Sequence, residues 1–181
     1  MADLPALSDG RWRGVTQKEL NETLKSFAEK YAQLAKENLG ANLVSVALFG
    51  SVARGEAKPT SDIDLLIVCE DLPKGMFKRH AFLEPVREQL QGDLEGLWKQ
   101  GVYADFTELV YTKDEANRFH WVYLDMLEDA VILYDENGFL RGVFEKLRKR
   151  LKELGAQRRM LGKIRYYDLK PDLMPGEVIE L

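Results

Sequence analysis

The sequence predicts an α/β protein with one principal domain, and three observations carry that reading. Short apolar runs rich in Val, Ile and Leu alternate with longer stretches of helical period. The length, 181 residues, is that of one domain and suffices to bury a sizeable core. A composition 45% hydrophobic and 31% charged is that of a folded globular chain, which excludes the disordered and low-complexity classes.

The elements follow in order. Residues 1–15 carry Pro5, Gly10 and Gly14 and read as a loose arm. Thr16-Gln17-Lys18-Glu19 matches a capping box, in which hydroxyl and carboxylate satisfy free amides at a helix start. Leu20, Leu24, Phe27, Tyr31 and Leu34 continue at helical spacing, and Gly40 supplies the stop. Leu43–Phe49 is a strand, and the connection Gly50–Ser61 leads to a second strand, Asp62–Cys69. Pro73 and Gly75 mark the exit, and a long helix follows over about 76–100, irregular near Pro85 and Gly92. Tyr103–Tyr111 is a third strand. Thr112-Lys113-Asp114-Glu115 opens a helix reaching Asp129, followed by a short strand Val131–Tyr134 and a turn at 135–138. Phe144, Leu147, Leu151 and Leu154 stripe a last helix, and the tail from Tyr166, with Pro171, Pro175 and Gly176, reads as an extended arm.

The chemistry concentrates between Gly50 and Leu65. Gly50-Ser51 opens a turn directly after a strand. Glycine lets a ligand approach the backbone, free amides at a helix start favour phosphate, and the Ser51 hydroxyl adds a further hydrogen bond. Asp62 and Asp64, two apart on a strand, present both carboxylates to one face while Ile63, Leu65 and Ile67 take the other. Paired carboxylates repel unless a cation lies between them, and hard oxygen ligands suit Mg²⁺ or Mn²⁺, ions that also bind substrate phosphates. A phosphate cradle beside a divalent-metal ligand pair predicts phosphoryl or nucleotidyl transfer.

This segment, GSVARGEA followed by SDIDLLIV, resembles the signature of the DNA polymerase β-like nucleotidyltransferase superfamily, and within it the minimal nucleotidyltransferase branch. The close match covers residues 43–69, and a looser one in element order extends to about residue 140. The resemblance implies the nucleotidyltransferase fold, a small mixed β-sheet flanked by helices. It divides the chain into the arm, 1–15, a nucleotidyltransferase domain, 16–140, and a basic C-terminal helix with an extended tail, 141–181, packed on that domain. It implies that Gly50 and Ser51 hold the phosphates of ATP or another NTP, and that Asp62 and Asp64 bridge two Mg²⁺ (or Mn²⁺) ions. The family also requires a third carboxylate on the next strand, as metal ligand and base. Asp105 and Glu108 are the candidates, and Asp105, followed by Phe106, fits the family position better. Arg54 and Ser61 are further candidates, the first for neutralising phosphate and the second for orienting Asp62. The implied reaction transfers an NMP, AMP from ATP in the first instance, to a hydroxyl of a protein or RNA acceptor. The branch includes partners of HEPN toxins in toxin–antitoxin pairs. Two alternatives accompany this reading: a partner-binding antitoxin without catalysis, and a small-molecule adenylyltransferase of the aminoglycoside type.

Charge adds a second feature. The net charge is −4, yet Arg141–Arg165 holds ten basic residues against Glu145 and Glu153. That stretch either attracts RNA, a triphosphate or an acidic partner, or forms a solvated face paired with the acidic body. Tyr166 and Tyr167 beside it offer stacking surfaces.

The single Cys69, following the apolar Ile67 and Val68, reads as a buried thiol and excludes an internal disulfide or multi-cysteine zinc site. His80 and His120 lack metal-ligand spacing, and Trp12, Trp98 and Trp121 are expected to pack, as is the stripe Phe119, Val122 and Met126. No basic region followed by an apolar run marks a signal peptide, and no stretch approaches the ~18 apolar residues of a membrane span. The expected location is the cytoplasm, with a homo-oligomer or a second protein supplying what one small domain lacks on the acceptor side.

Overall fold

The computed structural model describes residues 15–162, 164–174 and 176–181. The expected arm up to Gly14, Trp12, Lys163 and Pro175 lie outside the described residues.

The chain forms α1 (Gln17–Leu39), β1 (Leu43–Phe49), α2 (Gly50–Ala53), β2 (Ile63–Cys69), α3 (Met76–Lys99), β3 (Phe106–Thr112), α4 (Lys113–Ala116), α5 (Val122–Asp129), β4 (Val131–Asp135), α6 (Phe139–Glu153), β5 (Gln157–Leu161) and β6 (Ile164–Asp168). The capping box at α1 forms as expected: Thr16 Oγ1 accepts from the Glu19 N–H at 3.2 Å, and Glu19 Oε2 accepts from the Thr16 N–H at 2.7 Å.

Four strands make a mixed sheet in the order β3-β2-β1-β4, with β1 antiparallel to both neighbours and β2 parallel to β3. The parallel pair requires a crossover, which α3 provides. The period of two along β2 then builds two cores. Ile63, Leu65 and Ile67 pack on one face with Leu24 of α1 and Leu83 and Leu90 of α3. Leu66 and Val68 pack on the other with Met126 of α5 and Leu140 and Phe144 of α6. The sheet is thus sandwiched between helices, the mixed α/β arrangement that the resemblance implied. Among the described residues no helix is long and apolar enough to cross a membrane.

Four local expectations change. The helix over 76–99 runs unbroken through Pro85 and Gly92, because the buried stripe Leu83, Val86, Leu90, Leu94 and Leu97 holds it to the sheet. The third strand begins at Phe106, leaving Tyr103 and Asp105 in the approach to it. The helix expected from Thr112 to Asp129 is two helices, since side chains occupy the carbonyls it would need to continue: Tyr123 Oη donates to the Ala116 carbonyl at 2.9 Å, and His120 Nε2 lies 2.9 Å from that of Glu115. Finally, α6 ends at Glu153 and residues 157–168 form an antiparallel hairpin, so Tyr166 and Tyr167 lie on a strand. Gly155, at φ +68°, releases the helix, and Gly162, at φ +61°, makes the hairpin turn. Arg158, Arg159 and Arg165 therefore belong to strands, and only the basic residues up to Lys152 belong to the helix.

Candidate active site

The candidate site lies where β1 ends and β2 and β3 begin. Phe49 pairs with Asp64 across the antiparallel ladder, so the chain leaving β1 passes directly over Asp64. Gly50 makes that passage at φ +73°. A Cβ built on Gly50 would stand 2.0 Å from Asp64 Oδ2, so only glycine leaves space for the carboxylate. The single-turn α2 closes with the Arg54 N–H donating to the Gly50 carbonyl at 3.2 Å and the Glu56 N–H to that of Ser51 at 2.9 Å.

The connection from α2 to β2 is held from three sides. Asn21 of α1 donates from Nδ2 to the Val52 carbonyl at 2.6 Å and accepts the Ala57 N–H on Oδ1 at 2.9 Å. Ser61 Oγ accepts the Lys58 N–H at 2.9 Å, which gives this side chain a turn-closing role immediately before Asp62. The Tyr103 N–H donates to the Pro59 carbonyl at 2.7 Å, tying the connection to the approach of β3. The Asn21 clamp was not visible in the sequence, because a lone asparagine on the polar side of a helix carries no spacing signal.

Asp64 is half-buried on the α5/α6 face, at the end of the row that continues through Leu66 and Val68. Burial first, and the neighbouring Asp62 charge second, hold its carboxyl above the ordinary aspartate range, with Arg54 opposing them. Asp62 is exposed. Arg54 also bridges to Glu56 at 3.0 Å.

The two candidates for a third carboxylate separate completely. The Asp105 carbonyl accepts the Ile63 N–H at 2.8 Å, which sets Asp105 beside Asp62 at the head of the parallel ladder. It stands two residues before Thr107, the partner of Asp64, and so on the same face by strand period. Its Oδ1 accepts the N–H of Phe106 at 2.8 Å. Glu108 instead pairs with Leu65 on the opposite face. There it is buried, with Oε1 accepting from Tyr31 Oη at 2.6 Å and Oε2 lying 2.7 Å from Arg87 Nη1 and 3.3 Å from His80 Nδ1. Glu108 is a member of a core ion-pair network.

Among the described residues no three Asp, Glu, His or Cys side chains form a ready-made metal cluster. The structure brings Gly50, Asp62, Asp64 and Arg54 together and leaves the Asp105 carboxylate bonded to its own neighbour. The donors still fit a hard divalent cation: two carboxylates within Coulombic reach, one half-buried and repelled by the other, against a backbone cradle kept open by glycine.

Among the described residues, four of the ten basic residues in this stretch form ion pairs. Arg148 lies 2.7 Å from Glu145, Arg150 3.6 Å from Glu153, Arg158 3.8 Å from Glu128, and Arg159 3.1 Å from Asp168. These four are exposed surface pairs, each worth little. Cys69 is buried, and burial pushes its thiol up to about 12. Trp98 packs, donating to the Ala104 carbonyl at 2.8 Å, whereas Trp121 is exposed, with an edge contact to Phe119.

A family model described as a nucleotidyltransferase domain matches residues 24–164. A candidate protein adenylyltransferase of Methanocaldococcus jannaschii is 30% identical over 139 residues, 76% of this chain and 87% of that protein. A second candidate protein adenylyltransferase of the same organism is 38% identical over 71 residues, 38% of this chain and 79% of its own length. Among solved structures, a toxin–antitoxin crystallised with AMP-PNP shares 16% identity at a TM-score of 0.42, over 71% of this chain and 92% of the other.

Proposed function

The chain belongs to the nucleotidyltransferase domain family and is a nucleotidyltransferase, and from that premise we propose that it transfers AMP from ATP to a hydroxyl of a protein acceptor in a divalent-metal-dependent reaction. The observation that carries this reading is the contact between Gly50 and Asp64, which presses a backbone turn against a half-buried carboxylate beside Asp62. The protein acceptor is supported by the relative that matches most of the chain, itself a candidate protein adenylyltransferase.

Asp62 and Asp64 would hold Mg²⁺ or Mn²⁺, with Asp105 as a third ligand. Such an ion, when bound, neutralises phosphate charge and polarises the α-phosphoryl group. The chain's own residues do the rest. Gly50 and Ser51 receive the phosphates on backbone amides and a hydroxyl, and Arg54 offsets the charge that collects on the pyrophosphate. Asn21 and Ser61 hold the connection so that turn and carboxylates keep their spacing. The acceptor oxygen attacks the α-phosphorus as the bond to the bridging oxygen of pyrophosphate breaks. The acceptor proton passes to the Asp105 carboxylate, which must first turn from the Phe106 amide.

The test is incubation with α-³²P-ATP and Mg²⁺ or Mn²⁺ in a cell lysate, and with a purified HEPN-type toxin as the protein acceptor named by the sequence resemblance. Label on a protein band with wild type and none with Asp62→Ala/Asp64→Ala is the expected result. No transfer and no ATP binding would remove the enzymatic reading and leave a partner-binding module.

A further inference from the structure

The approach to β3 carries a tyrosine on the same face as the candidate site. Burial alternates without a break from Val102 to Glu108: Val102, Ala104, Phe106 and Glu108 are buried, and Tyr103, Asp105 and Thr107 are exposed. Val102, Ala104 and Phe106 join the core that α1 and α3 build against the sheet. Tyr103 therefore shares the opposite face with Asp105 and with Thr107, the ladder partner of Asp64. Three hydrogen bonds fix the backbone beneath it. The Tyr103 N–H donates to the Pro59 carbonyl at 2.7 Å, Trp98 Nε1 to the Ala104 carbonyl at 2.8 Å, and the Ile63 N–H to the Asp105 carbonyl at 2.8 Å.

The backbone at Tyr103 is held, but its side chain is not. The residue is 62% exposed, and among the described residues no hydrogen bond or ring contact engages its phenol. The chain has seven tyrosines, and the other six stand away from the carboxylates or are already bonded. Tyr31 and Tyr123 are buried with their hydroxyls bonded, Tyr111 stacks on His120 at the far end of β3, and the remaining three lie on β4 and β6. Thr107 also shows a hydroxyl on the Asp64 face, but that hydroxyl sits one bond from Cβ and moves only with the strand. A tyrosine hydroxyl stands a ring's length from the backbone and turns on two torsions, which gives it reach at little conformational cost.

We propose that Tyr103 is an acceptor within this chain, and that the protein transfers AMP from ATP to its own Tyr103 hydroxyl. The inference rests on the AMP-transfer reading above and adds a modification site to it. The Tyr103 oxygen attacks the α-phosphorus and forms a phosphodiester bond, while the bond from that phosphorus to the bridging oxygen breaks and pyrophosphate leaves. The phenolic proton passes to the Asp105 carboxylate. Residues two apart on an extended chain stand roughly 6.5–7 Å apart, about the length of a tyrosine side chain, so acceptor and base are neighbours on one face. Carrying both on one fixed segment removes the entropic cost of bringing a second molecule to the site.

The test incubates the purified full chain with α-³²P-ATP and Mg²⁺ or Mn²⁺, alone and with whole lysate, then denatures it and maps the modified peptides by mass spectrometry. Wild type alone is expected to gain AMP on Tyr103, at a rate per chain independent of protein concentration. Tyr103→Phe is expected to lose its own label, and mapping in the wild type locates the acceptor whatever that variant does to the fold. AMP mapped to another residue, equal label on Tyr103→Phe, or a rate per chain that rises in proportion to protein concentration would each overturn the assignment. Label on lysate proteins with none on the chain itself would overturn self-transfer and leave the transfer reaction standing. No label on the chain or on lysate would instead overturn the AMP-transfer reading.

Discussion

Gly50 and Asp64 interlock: a single methyl group on Gly50 would lie 2.0 Å from the Asp64 carboxylate oxygen. The turn that leaves β1 and the carboxylate that rises from β2 therefore depend on one another. Any residue other than glycine must displace one of them, and it must also adopt φ +73°, which L side chains disfavour.

Gly50→Ala is accordingly expected to cost roughly 1–2 kcal/mol of stability from backbone strain. It should lower transfer by about 100-fold, because a displacement near 1 Å is enough to spoil alignment. Thermal unfolding and a labelled-ATP assay on the same preparation check both halves. Wild-type activity in Gly50→Ala would show that the contact is incidental.

Asp64 stabilises the fold less the more fully it is charged. Its folded-state pKa is raised, by burial and then by Asp62, so the native protein holds this proton more tightly than the unfolded chain does. Stability from this group is present at acid pH and is lost as pH rises through the folded pKa. Asp64→Asn should melt higher than wild type at neutral pH, with the gap closing in acid, while transfer is abolished. Asp62→Asn should lower the Asp64 pKa by removing the repelling charge, read by NMR titration of the Asp64 carboxyl. A lower melting temperature for Asp64→Asn at neutral pH would contradict the burial argument.

Asp105 and Glu108 should fail in opposite ways. Asp105→Asn touches an exposed side chain and should leave stability nearly unchanged while reducing transfer by roughly 100- to 10,000-fold. Glu108→Ala strips Tyr31, Arg87 and His80 of a shared buried partner and should cost about 3–5 kcal/mol. Urea unfolding and single-turnover transfer separate the two. An inactive but fully stable Glu108 variant would reverse the assignment.

Acid should also weaken the fold at Glu115. Arg79, bonded at 2.7 and 2.8 Å, pulls its carboxyl down from its ordinary 4.5 to about 2. A depressed folded pKa contributes stability above the unfolded value, and that contribution is lost as pH falls from about 4.5 toward 2. Glu115→Gln should flatten this limb of the stability curve, with little change in its slope near neutrality. Identical acid limbs in the two proteins would dismiss the pair as the source.

What the sequence determined by itself was local chemistry with a fixed spacing. The capping box at Thr16–Glu19, the alternation of Asp62 and Asp64 with Ile63 and Leu65, and the Gly50-Ser51 turn are all set within a few bonds, so period and residue type reveal them. The α/β class and the family resemblance rest on the same short-range information. The faces of the third strand also follow period two, which separated Asp105 from Glu108 but could not say which face was catalytic. The tertiary structure adds that Tyr31 and Arg87, drawn from two helices, converge on Glu108 in the core. The Asn21 clamp was equally invisible, because it brings together residues far apart in the chain. Such contacts become favourable only when packing has already brought the elements together, and no local pattern records them.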